Sequence, residues 1–189
     1  MKKSLIPFFL LIVLINACKK DETATIPAET PLASFFADST IKFGTKILNS
    51  SYYEYGQRFQ VSKAGKITKL GVRTPSPGVY RLAIWDVDTK TLISQKTVEL
   101  TSGNIQTWGD ITPQPLVANK QYYITYLSNN WNIAYPKTGT DFTYPIAKSS
   151  VIILAYGYAI SAIGAAPKYP ITEPKSYIAG FVDFTFVPD

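Results

Sequence analysis

The chain has 189 residues, with 19 Lys and Arg against 13 Asp and Glu, and no His. Without His, neither a His-assisted serine or cysteine nucleophile nor a His-ligated metal centre can be built. The net charge of +6 is scattered and forms no basic stripe for a phosphate backbone, so nucleic acid is not an expected partner.

Lys2 and Lys3 open the chain, an apolar run follows from Leu5 to Ile15, and Asn16-Ala17 leads to Cys18, the single cysteine. The run is shorter than the ~20 residues needed to span a bilayer, and its basic start is that of an export signal. Leu14-Ile15-Asn16-Ala17-Cys18 resembles the lipobox of signal peptidase II substrates, with Asn16 where Ser or Ala is more usual. The resemblance implies that residues 1–17 are a lipoprotein signal peptide and that Cys18 is the lipidated first residue of the mature chain. Each buried methylene contributes ~0.8 kcal/mol, and two acyl chains suffice for a stable membrane anchor. An ordinary secretory signal followed by a free thiol is the competing reading. Lys19-Lys20-Asp21-Glu22 resembles the surface-export signal of Bacteroidetes lipoproteins, with one extra Lys. That implies an outer-membrane lipoprotein displayed at the cell surface. The alternative is a charged spacer on a periplasm-facing anchor.

From Lys19 to Pro31 the chain is rich in Thr and Pro and poor in large apolar residues. Such a segment buries too little surface to order itself, so residues 18–33 are expected to be lipidated cysteine and flexible tether. Residues 34–189 make one domain by size. An acylated Cys18 leaves no thiol for a disulfide, and stability must come from packing. Thirteen Tyr, ten Phe and three Trp suit pleated, half-buried surfaces. Beyond the leader no stretch sustains a 3.6-residue apolar period, which points to an all-β domain.

In chain order, Ile41–Leu48 and Tyr55–Val61 read as strands, with a turn at Ala64-Gly65. Lys66–Arg73 follows, its Gly71 marking a bulge or a close approach. Thr74-Pro75-Ser76-Pro77-Gly78 is a loop. Val79–Val87 alternates, with Tyr80, Leu82 and Ile84 on one face and Arg81, Ala83 and Trp85 on the other. Asp88-Thr89-Lys90 turns it into Thr91–Leu100. Ile105–Ile111 is a short strand that Pro113 and Pro115 should break. Gln121–Leu127 places Tyr122, Ile124 and Tyr126 on one side, and Ser128-Asn129-Asn130 is expected to turn before Trp131–Tyr135. Val151–Ile160 is apolar and β-branched, and Tyr177–Val187 closes the chain. About ten strands at this spacing predict a two-layer antiparallel β-sandwich, jelly-roll-like in character.

The order Tyr55-Gly56-Gln57-Arg58-Phe59, Gly65 to Arg73, Leu82-Ala83-Ile84-Trp85, Trp108, and Leu116 to Tyr126, with Asp183 before Phe184 in the last strand, resembles one bacterial family. It is similar to the domain of unknown function numbered four thousand and eighty-two, over residues 55–186. The resemblance implies a β-sandwich module of exported proteins, often found beside carbohydrate-active or adhesion domains. It carries over no catalytic or binding residue.

Nothing in the pattern of the 13 acids pairs two of them across a cleft, so a glycosidase-like carboxylate pair is not expected. Asp86 and Asp88 could offer oxygens to calcium, but no further ligand adjoins them and turn chemistry explains both. We therefore expect no enzyme, metal or cofactor. Trp85 and Trp108 lie in strand patterns and read as core. Trp131 stands between Asn129-Asn130 and Asn132, with Tyr135 close behind. An aromatic ring stacks on the apolar face of a sugar while amides bind its hydroxyls, so Asn129, Asn130, Trp131, Asn132 and Tyr135 are the candidate ligand site. The competing reading makes Trp131 a cap on the sandwich end.

Two functions fit. One is a non-catalytic binding module, anchored at Cys18, that recognises a glycan at the cell surface. The other is a structural or assembly component that docks another envelope protein.

Overall fold

The computed structural model describes residues 26–189. Cys18 and the leader lie outside the described residues. One short helix, α1 (Pro31–Phe36), precedes twelve strands. These are β1 (Ile41–Phe43), β2 (Ile47–Val61), β3 (Gly65–Arg73), β4 (Gly78–Asp86), β5 (Leu92–Leu100) and β6 (Thr107–Leu116). β7 (Gln121–Trp131), β8 (Ile133–Pro136), β9 (Ile146–Lys148), β10 (Val151–Ser161), β11 (Ile178–Ala179) and β12 (Phe181–Pro188) complete the set.

The domain is an all-β sandwich in which the paired strands run antiparallel. A six-stranded sheet of order β5-β4-β7-β2-β10-β9 faces a three-stranded sheet of order β12-β3-β6. Alternation sorts the side chains between the faces. Tyr55 and Phe59 of β2, Leu82 and Ile84 of β4, and Ile124 and Tyr126 of β7 point inward. Ile67, Leu70 and Val72 of β3 meet them with Phe184 and Phe186 of β12. The Phe59 and Phe184 rings lie 4.5 Å apart across the two layers. A small third sheet, β1-β8-β11, adds Ile41, Ile133 and Ile178 to the same core.

The six-stranded sheet is covered on its outer face too. Trp85, Ala83 and Tyr123 form a second apolar cluster there, under Tyr169 of the long 162–177 segment. Trp85 Nε1 donates to Thr125 Oγ1 at 3.1 Å. Two ion pairs line this face: Arg58 donates from Nε and Nη2 to the two Glu173 carboxylate oxygens, each at 2.9 Å, and Arg81 pairs with the fully buried Glu54. Arg81 also donates to the Ala165 carbonyl, which ties the segment down.

Several expectations needed correction. The predicted strand Ile41–Leu48 is split between two sheets: Ile41–Phe43 pairs with β8, whereas β2, from Ile47, pairs with β7. Pro113 and Pro115 do not break the chain. They sit inside β6, an edge strand, where the lost N–H donors face no partner strand. Ser128-Asn129-Asn130 is no turn either, since β7 continues through it to Trp131. Gly71 marks a close approach, a Cβ there lying 2.5 Å from the Trp108 ring. Trp108 itself is only half-buried rather than core.

The fold also begins earlier than the expected tether boundary at residue 33. Glu29 pairs with Phe186 through backbone bonds of 2.7 and 2.8 Å, and α1 packs over β12 with Phe36 at 4.1 Å from the Phe181 ring. Its N-terminal amides are held by Asp183, which replaces the missing side-chain cap at Thr30.

Candidate functional site

An aromatic pocket of about 180 Å³ lies on the inner face of the six-stranded sheet. Among the described residues none from β3, β6 or β12 lines it, so it opens where the second layer no longer covers the first. Two Tyr-x-Tyr repeats build it. Tyr53-Glu54-Tyr55 of β2 and Tyr156-Gly157-Tyr158 of β10 each put both rings on one face, because residues two apart in a strand share a side. Register brings the repeats together, with Tyr158 opposite Tyr55. Trp131, the last residue of β7, adds its indole at 5.3 Å from the Tyr55 ring and 5.6 Å from Tyr53, edge-on to both. Tyr177 reaches over from the end of the 162–177 segment to lie 5.7 Å from Tyr156.

The floor is closed and the rim is open. Tyr55, Tyr156 and Trp131 are buried, whereas Asn49, Tyr53, Tyr158 and Tyr177 are half-buried. Asn49 Nδ2 donates to the Tyr53 hydroxyl at 3.5 Å. Trp131 is only 8% exposed, yet its indole N–H has no hydrogen-bond partner. That nitrogen is sealed from solvent, and a buried donor left unpaired is costly.

The pocket carries no formal charge. Among the described residues no Asp, Glu, Lys or Arg lines it. Burial pushes the Tyr55 and Tyr156 hydroxyls well above the usual phenol range. Tyr177 is raised to about 12, by burial first and then by the neighbouring Tyr158. The surface offered is aromatic faces and edges with neutral hydroxyl, amide and indole groups.

The candidate residues Asn129, Asn130, Trp131, Asn132 and Tyr135 do not form one site. The end of β7, the Asn132 link and β8 lie against different neighbours, and the five part among separate hollows. Trp131 belongs to the aromatic pocket. Asn129 and Asn130 line a wider groove of about 430 Å³ with Arg81 and Thr97. There Asn129 Nδ2 donates to the Asn49 carbonyl at 3.1 Å and Asn130 Nδ2 to Ser76 Oγ at 2.8 Å. Asn132 lines a third hollow beside Arg73 and bonds Asn104 Oδ1 at 3.0 Å. Tyr135 is exposed on β8, opposite Lys42 of β1, close enough to Tyr177 to help raise its pKa. Asp86 is a turn residue: its Oδ1 accepts from the Asp88 and Thr89 amides, and its Oδ2 pairs with Lys120 at 2.6 Å.

Sequence reasoning missed Tyr53, Tyr55, Tyr177 and Asn49. The two Tyr-x-Tyr repeats were the available signal. Neither a scan against known family models nor a search of curated proteins finds a match to this chain.

Proposed function

We propose that this chain is a non-catalytic glycan-binding module, held outside the cytoplasm by a lipid anchor at Cys18 on the outer membrane and displayed at the cell surface. The observation that carries the reading is the aromatic pocket walled by Tyr53, Tyr55, Trp131, Tyr156, Tyr158 and Tyr177. Aromatic rings cover the apolar face of a sugar, and the rim amide and hydroxyls suit its hydroxyl groups. The Leu14–Cys18 lipobox and the Lys19–Glu22 segment support the anchor and the export. The strand motifs similar to the domain family numbered four thousand and eighty-two support an exported sandwich module, and we propose membership of that family on those motifs.

Retention of the full chain in gels loaded with plant, host and microbial polysaccharides tests the function. At least one polysaccharide should retard it, and Tyr177→Ala should release it. A panel without retardation overturns the reading. Surface display is tested by protease shaving of intact cells, which should remove the protein; full protection would place it facing the periplasm.

The second reading, docking of an envelope protein, has one observation in its favour. Leu48, Val79 and Ile163 are 73%, 67% and 73% exposed, and all three line the wider groove. Crosslinking in the native envelope should join these positions to a second protein, and recovery of the chain alone would count against it.

A further inference from the structure

We infer that the aromatic pocket takes a single neutral sugar ring, the terminal residue of a glycan, and that it excludes both acidic sugars and internal stretches of chain. This rests on the glycan-binding reading above and narrows it.

Size is the first argument. A cavity of about 150 Å³ encloses one benzene ring. The pocket here, at about 180 Å³, has room for one six-membered ring and not for two in sequence.

Shape is the second. Tyr55 and Tyr156 are each 1% exposed and close the floor, while Tyr53, Tyr158 and Tyr177 stand half-exposed around the mouth. A ligand enters from one side and stops. A polymer threaded through its middle would need an exit that this floor denies.

Charge is the third. A uronate or sialate carboxylate would leave water for a site lined by no cationic side chain, a transfer that strongly disfavours the ion. The half-exposed rim offers the Asn49 amide and the Tyr53, Tyr158 and Tyr177 hydroxyls, which pair with a sugar's hydroxyls and ring oxygen. A quaternary ammonium also suits aromatic rings, but it offers those polar groups nothing.

The test uses the detergent-solubilised full chain and a polysaccharide that retards it. Methyl glycosides of glucose, galactose, mannose and N-acetylglucosamine compete for retention, alongside methyl glucuronide and choline. One neutral glycoside should compete at about millimolar concentration, in the range of weak single-ring binding. Methyl glucuronide should be at least tenfold weaker. Exoglycosidase removal of the terminal residue should abolish retention. Tyr158→Phe, which keeps the ring and loses a rim hydroxyl, should weaken competition about fivefold. Tyr177→Ala, on the half-exposed rim, provides a second variant if the first fails to fold. Retention that survives trimming, or competition only by longer oligomers or by the glucuronide, overturns this inference and leaves glycan binding standing. Competition by choline alone, or no retention and no response to any glycoside, overturns both.

Discussion

The Asp183 carboxylate holds the start of a helix that lies 150 residues earlier in the chain: its Oδ2 accepts the Ala33 amide at 2.8 Å. Its Oδ1 accepts Leu32 N at 3.1 Å and Phe184 N at 2.8 Å. The group is buried on β12 beneath α1, and no cation pairs with it in the hydrogen-bond set that holds it.

That burial makes stability depend on pH. Desolvation raises the Asp183 pKa from 3.8 to about 6, against the backbone donors that lower it. The folded state then binds the proton more tightly than the unfolded state does. Its contribution is fully present below the unfolded pKa and is lost as pH rises to about 6, up to ~3 kcal/mol in all. The urea midpoint should fall across this window, and Asp183→Asn should flatten the fall. Asp183→Ala leaves three amides unpaired and should cost about 2–3 kcal/mol below about pH 4, with the difference from the parent shrinking as pH rises through the window.

Glu54 is fully buried, and burial raises its pKa despite the partner Arg81. Arg81→Ala removes that partner and should cost about 3–5 kcal/mol, while Glu54→Gln paired with Arg81→Met should lie much closer to the parent. Because Arg81 also holds the Ala165 carbonyl, limited proteolysis of Arg81→Ala should cut first within residues 162–177. Equal stability of the single and double variants would show that the pair does not act as a unit.

Gly180 lies between β11 and β12 with φ at +73°, and a Cβ there would sit 2.2 Å from the Tyr126 hydroxyl. Gly180→Ala therefore meets both a strained backbone and a clash in the core. Its thermal midpoint should drop by several degrees, the shift that about 2 kcal/mol produces in a domain of this size. A midpoint unchanged within a degree would mean the Tyr126 ring moves aside freely.

Ligand retention should ignore pH where folding is complete. No carboxylate, amine or imidazole lines the aromatic pocket, and Tyr177 titrates only near 12. Retardation in polysaccharide gels should stay constant from about pH 6.5 to about pH 8.5. A step in that range would place a titrating group at the binding surface and count against the pocket as the site.

Trp131 fills the core as well as the pocket. Trp131→Ala should cost about 3–5 kcal/mol, measured by urea unfolding, whereas Trp131→Phe should cost no more than about 1.5. Similar losses for both would show that the site needs the full indole and does not accept a smaller ring.

The amino-acid sequence by itself determined the class of fold and much of its inner lining. Alternation is local, so Tyr80, Leu82 and Ile84 on one face of β4, Ala83 and Trp85 on the other, and Tyr122, Ile124 and Tyr126 of β7 could all be read two residues at a time. The tertiary structure alone decided which faces meet. Ser128-Asn129-Asn130 has the composition of a turn, but pairing with β2 keeps it extended, and the five-residue candidate site divides among separate hollows. The Tyr-x-Tyr repeats are visible in the sequence, whereas their meeting depends on the β2–β10 register. The cap on α1 comes from Asp183, a partner no local pattern can announce. Side-chain direction is set by neighbouring residues along the strand; a pocket is set by contacts between segments about a hundred residues apart, and only the folded chain supplies those.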